Sequence, residues 1–161
     1  MNKTYQKHIF NYFYKNKIRD FIGVPDSTLK EFIQSAITKK KIIITTKEEE
    51  AIGLAVGISL SGFTPLVFMQ NAGFANSLST ITSLVEMYNV PIIFLIGWRG
   101  YEKNDAPEHL KIGKIQPTLL DSIGLKSKIV TEKNWKYCCD WALKNSKKQS
   151  CALIVRRLTN G

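Results

Sequence analysis

Ile42-Ile43-Ile44-Thr45-Thr46-Lys47-Glu48-Glu49-Glu50-Ala51-Ile52-Gly53-Leu54-Ala55-Val56-Gly57 changes character twice along its length. Its first five residues are β-branched, which predicts a buried strand over 42–46. Glu48, Glu49 and Glu50 follow as an unbroken acidic run. The chain then turns small and apolar, and Ala51, Leu54, Ala55 and Ile58 recur at helical spacing. A strand therefore gives way to a helix at the three carboxylates, which stand near the positive end of the helix dipole. In open α/β sheets, ligands bind on that side, beyond the carboxyl ends of the strands. Acids in a first helical turn are ordinary dipole chemistry, and Glu49 and Glu50 read that way. Glu48 lies nearest the strand end and is the one placed to face a crevice.

The same alternation extends in both directions. Upstream, Tyr5, Ile9, Tyr12 and Phe13 space as an amphipathic helix ending near Lys17. Residues 21–24 predict a short strand, and Pro25-Asp26-Ser27 breaks it and offers an N-cap. Leu29, Phe32, Ile33, Ala36 and Ile37 mark a second helix. Downstream, strands are expected at 64–69, 91–96, 129–130 and 151–155. Gln70-Asn71-Ala72-Gly73 turns the chain into a helix carrying Leu78, Ile81, Leu84 and Val85, and Trp135, Cys138, Cys139, Ala142 and Leu143 make a last one. Apolar strands alternating with helices predict an α/β fold, a doubly wound and mostly parallel sheet in a single domain over 1–161. One segment breaks the rhythm. Residues 97–116 show little periodicity and hold Trp98, Arg99, Gly100, Asp105, Pro107, Glu108 and His109, which predicts a shaped binding loop.

A chain of 161 residues with 44% apolar content suits one globular domain. No apolar run approaches the ~18–20 residues a membrane helix needs, and the first residues carry no apolar signal region. Cys138, Cys139 and Cys151 make neither a disulfide framework nor a metal pattern, and read as reduced core residues of a cytoplasmic protein. Trp135 and Trp141 read as core or subunit-interface residues. The net charge of +10 favours anionic partners or substrates. The cations are nevertheless spread along the chain without aromatic interleaving, so neither nucleic acid nor a membrane is an expected partner. Gly-x-Gly-x-x-Gly, a Walker loop, Gly-x-Ser-x-Gly and His-Glu-x-x-His are all absent. The residues alone leave a ligand site at Glu48, the 71–76 turn and the 97–109 segment.

Several stretches, taken together, resemble one family. Glu48-x-x-Ala51-x-x-x-Ala55-x-Gly57 resembles the glutamate helix of the pyrimidine-binding domain of thiamine diphosphate enzymes. Gly23-Val24-Pro25-Asp26-Ser27 resembles that domain's early strand-to-helix turn, and residues 69–76, Met-Gln-Asn-Ala-Gly-Phe-Ala-Asn, resemble its Gly- and Asn-bearing turn. With Ile96-Gly97-Trp98-Arg99-Gly100 and Asp105-Ala106-Pro107-Glu108-His109, the set is similar to phosphonopyruvate decarboxylases and somewhat less to the α subunits of sulfopyruvate decarboxylases. The likeness runs over about 21–130. The family's Gly-Asp-Gly…Asn signature for the diphosphate and magnesium ion is absent, and Phe74-Ala75 stands where those relatives tend to have Leu-Gly.

The resemblance implies an α subunit that works with a β subunit carrying the diphosphate and Mg2+, in an α/β hetero-oligomer, with no metal ligand of its own. It implies thiamine diphosphate as cofactor and Glu48 as the catalytic carboxyl. Hydrogen-bonded to the aminopyrimidine ring, that carboxyl favours the imino form that removes the thiazolium proton. Gly73, Asn76 and Pro25 join Glu48 on the cofactor side, although Gly73 and Asn76 equally suit plain turn chemistry. The implied substrate is a small dianionic 2-keto acid. The first expectation is 3-phosphonopyruvate, giving phosphonoacetaldehyde and CO2; the alternative is sulfopyruvate, giving sulfoacetaldehyde. A non-catalytic α/β binding or regulatory protein is a further alternative. Arg99 and His109 would meet the anionic groups, with Asn71 beside them, although loop-stabilising bonds suit Arg99 and His109 equally well. Asp26 and Ser27 read first as turn and N-cap and second as substrate contacts.

Overall fold

The computed structural model describes residues 4–156. In chain order it runs α1 (Thr4–Lys15), β1 (Phe21–Gly23), a 3-10 turn (Ser27–Leu29), α2 (Lys30–Thr38), β2 (Ile42–Ile44), α3 (Glu48–Leu60) and β3 (Leu66–Gln70). Then come α4 (Asn71–Asn76), α5 (Leu78–Thr80) with a following π-helical turn (Ile81–Glu86), β4 (Ile93–Trp98), α6 (Pro107–Ser122), β5 (Ser127–Val130), α7 (Trp135–Asn145) and β6 (Cys151–Arg156). The six strands form one sheet in the order β2-β1-β3-β4-β6-β5, and every neighbouring pair is parallel.

Parallel strands need covering on both faces, and two apolar clusters provide it. On one face Phe10, Phe13, Phe21, Phe32, Phe68 and Leu95 pack beneath α1, α2 and α7. On the other, Ile52, Ala55, Val67, Phe74, Phe94 and Trp98 pack beneath α3, α4, the π-helical turn and α6. The sheet is doubly wound, as the alternation predicts. Cys138, Cys139 and Cys151 are buried and free, as expected of core residues, and burial pushes the Cys151 thiol up to about 12. Trp135 and Trp141 pack against the first cluster. Among the described residues no helix is long and apolar enough to cross a membrane.

Three expectations need correction. The predicted buried strand over 42–46 is the short edge strand β2, where Ile43 is 42% and Ile44 54% exposed. A β-branched run fits a pleated strand at the edge or the centre alike, and composition does not separate the two. The segment 97–116 is not one long loop, because β4 runs to Trp98 and α6 begins at Pro107. Only 99–106 is irregular. The helical period of α6 is hidden because its buried positions, Gly113, Gln116 and Leu120, are mostly small or polar, and because Pro117 lies inside it. Asp26 occupies the N-cap position of the 3-10 turn, but its side chain makes no capping bond.

Candidate active site

In an all-parallel sheet every strand ends on the same side. Pro25 and Asp26 follow β1, Glu48 follows β2, Asn71 to Gly73 follow β3, Arg99 to Asp105 follow β4, and Arg156 ends β6. β1 lies between β2 and β3, so the chain leaves it in opposite directions on its two sides. Such a reversal opens a crevice at the carboxyl edge. Asp26 and Gln70 meet across it, Gln70 Nε2 donating to Asp26 Oδ1 at 3.2 Å.

Glu48 opens α3 and is half-buried. Its carboxyl group lies on Gly73 of α4, where a Cβ would fall 2.1 Å from Glu48 Oε1. Glycine is thus the residue that lets the carboxylate settle against this helix. Among the described residues nothing donates a hydrogen bond to that carboxylate. Its neighbour Glu50 is differently placed: it accepts from the backbone N–H of Thr46 at 3.1 Å and from the Thr46 hydroxyl at 3.2 Å. That is helix-start chemistry, as expected for Glu50. A half-buried carboxyl with free lone pairs, shelved on glycine at the ligand edge, fits a ring-bearing hydrogen-bond partner such as an aminopyrimidine.

Asp26 is 6% exposed. Its Oδ2 is buried without a hydrogen-bond partner and would lie 2.1 Å from a Cβ at Gly97. Gly97 is therefore required by the Asp26 carboxyl. Thr28 Oγ1, beside it, is likewise buried and unpartnered. Ser27 is exposed, with Oγ 3.5 Å from Arg99 Nη1, and Pro25 is exposed.

Asn71 is fully buried and bridges two strand ends. Its Nδ2 donates to the Arg99 carbonyl at 3.0 Å, and its Oδ1 accepts from the Arg99 N–H at 3.1 Å. That pair fixes where Arg99 starts its loop. Arg99 Nε reaches Asp105 Oδ2 at 3.0 Å and Nη2 reaches Oδ1 at 2.8 Å, a two-pronged ion pair. Gly100 N–H donates to Asp105 Oδ2 at 2.7 Å and Ala106 N–H to Oδ1 at 2.8 Å. The Arg99 guanidinium, helped by those two amides, holds the Asp105 carboxyl well below the usual carboxylate range, and Asp105 in turn raises Arg99. His109 is half-buried in the first turn of α6, and its backbone carbonyl would lie 1.8 Å from a Cβ at Gly100. Gly100 has φ +72°, so glycine is favoured there by conformation as well as by space.

The structure thus gathers Glu48 with Gly73, and Asp26 and Ser27 with Arg99 and Asn71. Asn76, the last residue of α4, is exposed and is not joined to Glu48 by any hydrogen bond among the described residues. Sequence reasoning assigns no role to Gln70, Asp105, Tyr101 or Arg156. Asp105 lies six residues after Arg99 in irregular chain, where no periodicity links two side chains. Arg156 ends a strand that otherwise reads as pure core.

With this geometry in view, comparison with known proteins identifies the family. Residues 3–124 match the model of the thiamine pyrophosphate enzyme N-terminal TPP binding domain. The chain belongs to that family. Among its relatives is the sulfopyruvate decarboxylase subunit alpha of Methanocaldococcus jannaschii, 36% identical over 63% of this chain and 62% of that protein. The subunit of the same name from Methanococcus maripaludis is 36% identical over 65% of this chain and 64% of its own length. Phosphonopyruvate decarboxylase of Streptomyces viridochromogenes is 30% identical over 68% of this chain, but only 28% of that enzyme is spanned. The matched stretch thus spans less than two thirds of each of these relatives. Among solved structures, a split gene transketolase, described as an inactive beta4 tetramer, superposes with a TM-score of 0.66 over 98% of this chain and 51% of that one. At 12% identity it speaks for the fold alone.

Proposed function

We propose that this chain is the pyrimidine-binding subunit of a thiamine diphosphate-dependent decarboxylase acting on a short 2-keto acid that carries a second anionic group. The observation that carries the reading is the free, half-buried carboxyl of Glu48 lying against Gly73 at the carboxyl edge. Thiamine diphosphate, when bound, supplies the nucleophilic carbon that makes loss of CO2 from a 2-keto acid feasible. Glu48 would present its carboxyl to the aminopyrimidine ring, and Gly73 leaves room for that carboxyl. Pro25 and Asn76 border the cofactor side, without a contact that argues for either. Asp26, Ser27 and His109 line the substrate side, and Asn71 positions the chain at Arg99. The second domain, with diphosphate and Mg2+, comes from a partner polypeptide; relatives named as alpha subunits support this.

The substrate reading changes. Phosphonopyruvate is the first expectation from sequence, but the relatives at 36% identity carry the name sulfopyruvate decarboxylase, against 30% for the Streptomyces phosphonopyruvate enzyme. Sulfopyruvate is therefore the proposed substrate and phosphonopyruvate the second reading. Co-expression with a polypeptide bearing the diphosphate domain, followed by aldehyde assay on both keto acids, tests it. Sulfopyruvate should turn over faster, and Glu48→Gln should lower turnover by ~10²–10⁴-fold without loss of assembly, the usual worth of a positioned acid–base group. Turnover unchanged in Glu48→Gln would remove Glu48 from the mechanism.

A further inference from the structure

We infer that the anion-binding cation of this edge is Arg156, and that it receives a tetrahedral oxyanion of the sulfonate or phosphonate class. That the edge binds an anion rests on the geometry below; that the anion belongs to the substrate rests on the function proposed above.

Arg99 is poorly placed for the task. Its Nε and Nη2 both face Asp105, and the two side chains are only 11% and 3% exposed. An incoming anion would have to displace a carboxylate that two backbone N–H groups also hold. Only Nη1 points elsewhere, 3.5 Å from Ser27 Oγ.

Arg156 is placed the other way. It is the last residue of β6 and lies beside Trp98 in the parallel register of β4 and β6. Its guanidinium carbon stands 4.1 Å from the Tyr101 ring centroid and 5.7 Å from that of Trp98. Among the described residues no carboxylate pairs with it, and its Nε is buried with no hydrogen-bond partner. A buried guanidinium N–H without an acceptor is unfavourable, and native structures seldom leave one so. Aromatic rings hold a guanidinium by its face, which leaves the in-plane fork of N–H groups free for an acceptor. Two oxygens of a tetrahedral oxyanion match that fork. The rings are themselves fixed: Trp98 Nε1 donates to the Gly113 carbonyl at 2.8 Å, and the Trp98 and Tyr101 ring centroids are 4.8 Å apart. The cation is thus oriented before any ligand arrives.

The competing role is purely mechanical: Arg156 pins Tyr101 and so shapes the loop. Two measurements separate the roles. First, the full chain, 15N-labelled, is titrated with methanesulfonate and with inorganic phosphate while the Trp98 indole N–H resonance is followed. Saturable shifts are expected in the parent and in Arg19→Gln, an exposed arginine stacked on Tyr14 away from this edge. In Arg156→Gln the affinity should fall about 10- to 100-fold, the worth of a charge-assisted contact; Arg156→Lys should recover part of it. Second, in the reconstituted enzyme Arg156→Gln should raise KM for sulfopyruvate by a similar factor and leave KM for pyruvate, which lacks the second anion, unchanged. Equal anion affinity in Arg156→Gln and parent would overturn the inference, as would equal losses on both keto acids. Anion binding that depends on Arg156 in a protein turning over no keto acid would uphold the anion site and defeat the decarboxylase reading.

Discussion

Asp105 accepts from Arg99 Nη2 at 2.8 Å, from Gly100 N–H at 2.7 Å and from Ala106 N–H at 2.8 Å. These donors favour the charged form and hold its pKa below the ordinary value. A depressed folded-state pKa gives stability that is fully present above the unfolded value, about 3.9, and is lost as pH falls below it. Asp105→Asn should therefore destabilise the chain by about 3 kcal/mol near neutrality, because it strands a buried Arg99. Urea midpoints of parent and variant should keep a constant gap above about pH 5 and converge as pH drops from about 4 toward 2. A gap that stays constant over that span would mean that Asp105 acts by shape and not by charge. The Arg99–Asp105 pair illustrates what sequence conceals. Glu48 stands out because a strand, a three-residue turn and an acid-led helix follow one another closely. Arg99 and Asp105 meet only because Asn71, far earlier in the chain, fixes where the loop starts.

α6 holds a proline in its interior, and the structure explains how it is tolerated. Pro117 has no N–H, so the carbonyl four residues back, that of Gly113, loses its helical donor. Trp98 Nε1 supplies the replacement at 2.8 Å. Gly113 in turn packs on the Gly100 backbone, where a Cβ would lie 2.2 Å from the Gly100 carbonyl oxygen. Helix, strand end and loop are locked at one place. Trp98→Phe should cost about 1–3 kcal/mol, since it leaves a buried carbonyl unpaired. Pro117→Ala should change the parent little but recover part of that loss in Trp98→Phe, because the substitution restores a backbone N–H that can donate to the Gly113 carbonyl. Additive effects in the double-mutant cycle would show that the indole bond is not the substitute donor. The helix itself is hard to read from sequence because its buried side is Gly113, Gln116 and Leu120. Periodicity finds helices by apolar stripes, and this one packs by close approach. The edge position of β2 is unreadable for a related reason: strand order is a property of the sheet, and three isoleucines suit its edge as well as its middle.

At the scale of the molecule, sheet class and the edge on which the candidate residues gather are both legible, since alternation of strand and helix dictates parallel strands and parallel strands put every following turn on one edge. The same logic limits what the described residues can grip. On the proposed function Glu48 and Gly73 address a ring with a hydrogen-bonding edge, whereas the Gly-Asp-Gly signature that would hold a diphosphate is absent from the sequence. The chain alone should therefore recognise the pyrimidine end of thiamine and be nearly indifferent to the diphosphate. One complication is its net charge of +10, which attracts any polyanion without a specific site. Salt separates the two effects, because at 1 M the screening length is about 3 Å. Calorimetry at that ionic strength, with Mg2+ present, should give dissociation constants for thiamine and thiamine diphosphate within about tenfold, or ~1.4 kcal/mol, of each other. Addition of the diphosphate-domain polypeptide should then widen the gap in favour of the diphosphate. A chain that alone prefers thiamine diphosphate by more than about a hundredfold at high salt would hold a diphosphate site of its own, and the two-polypeptide reading would fall.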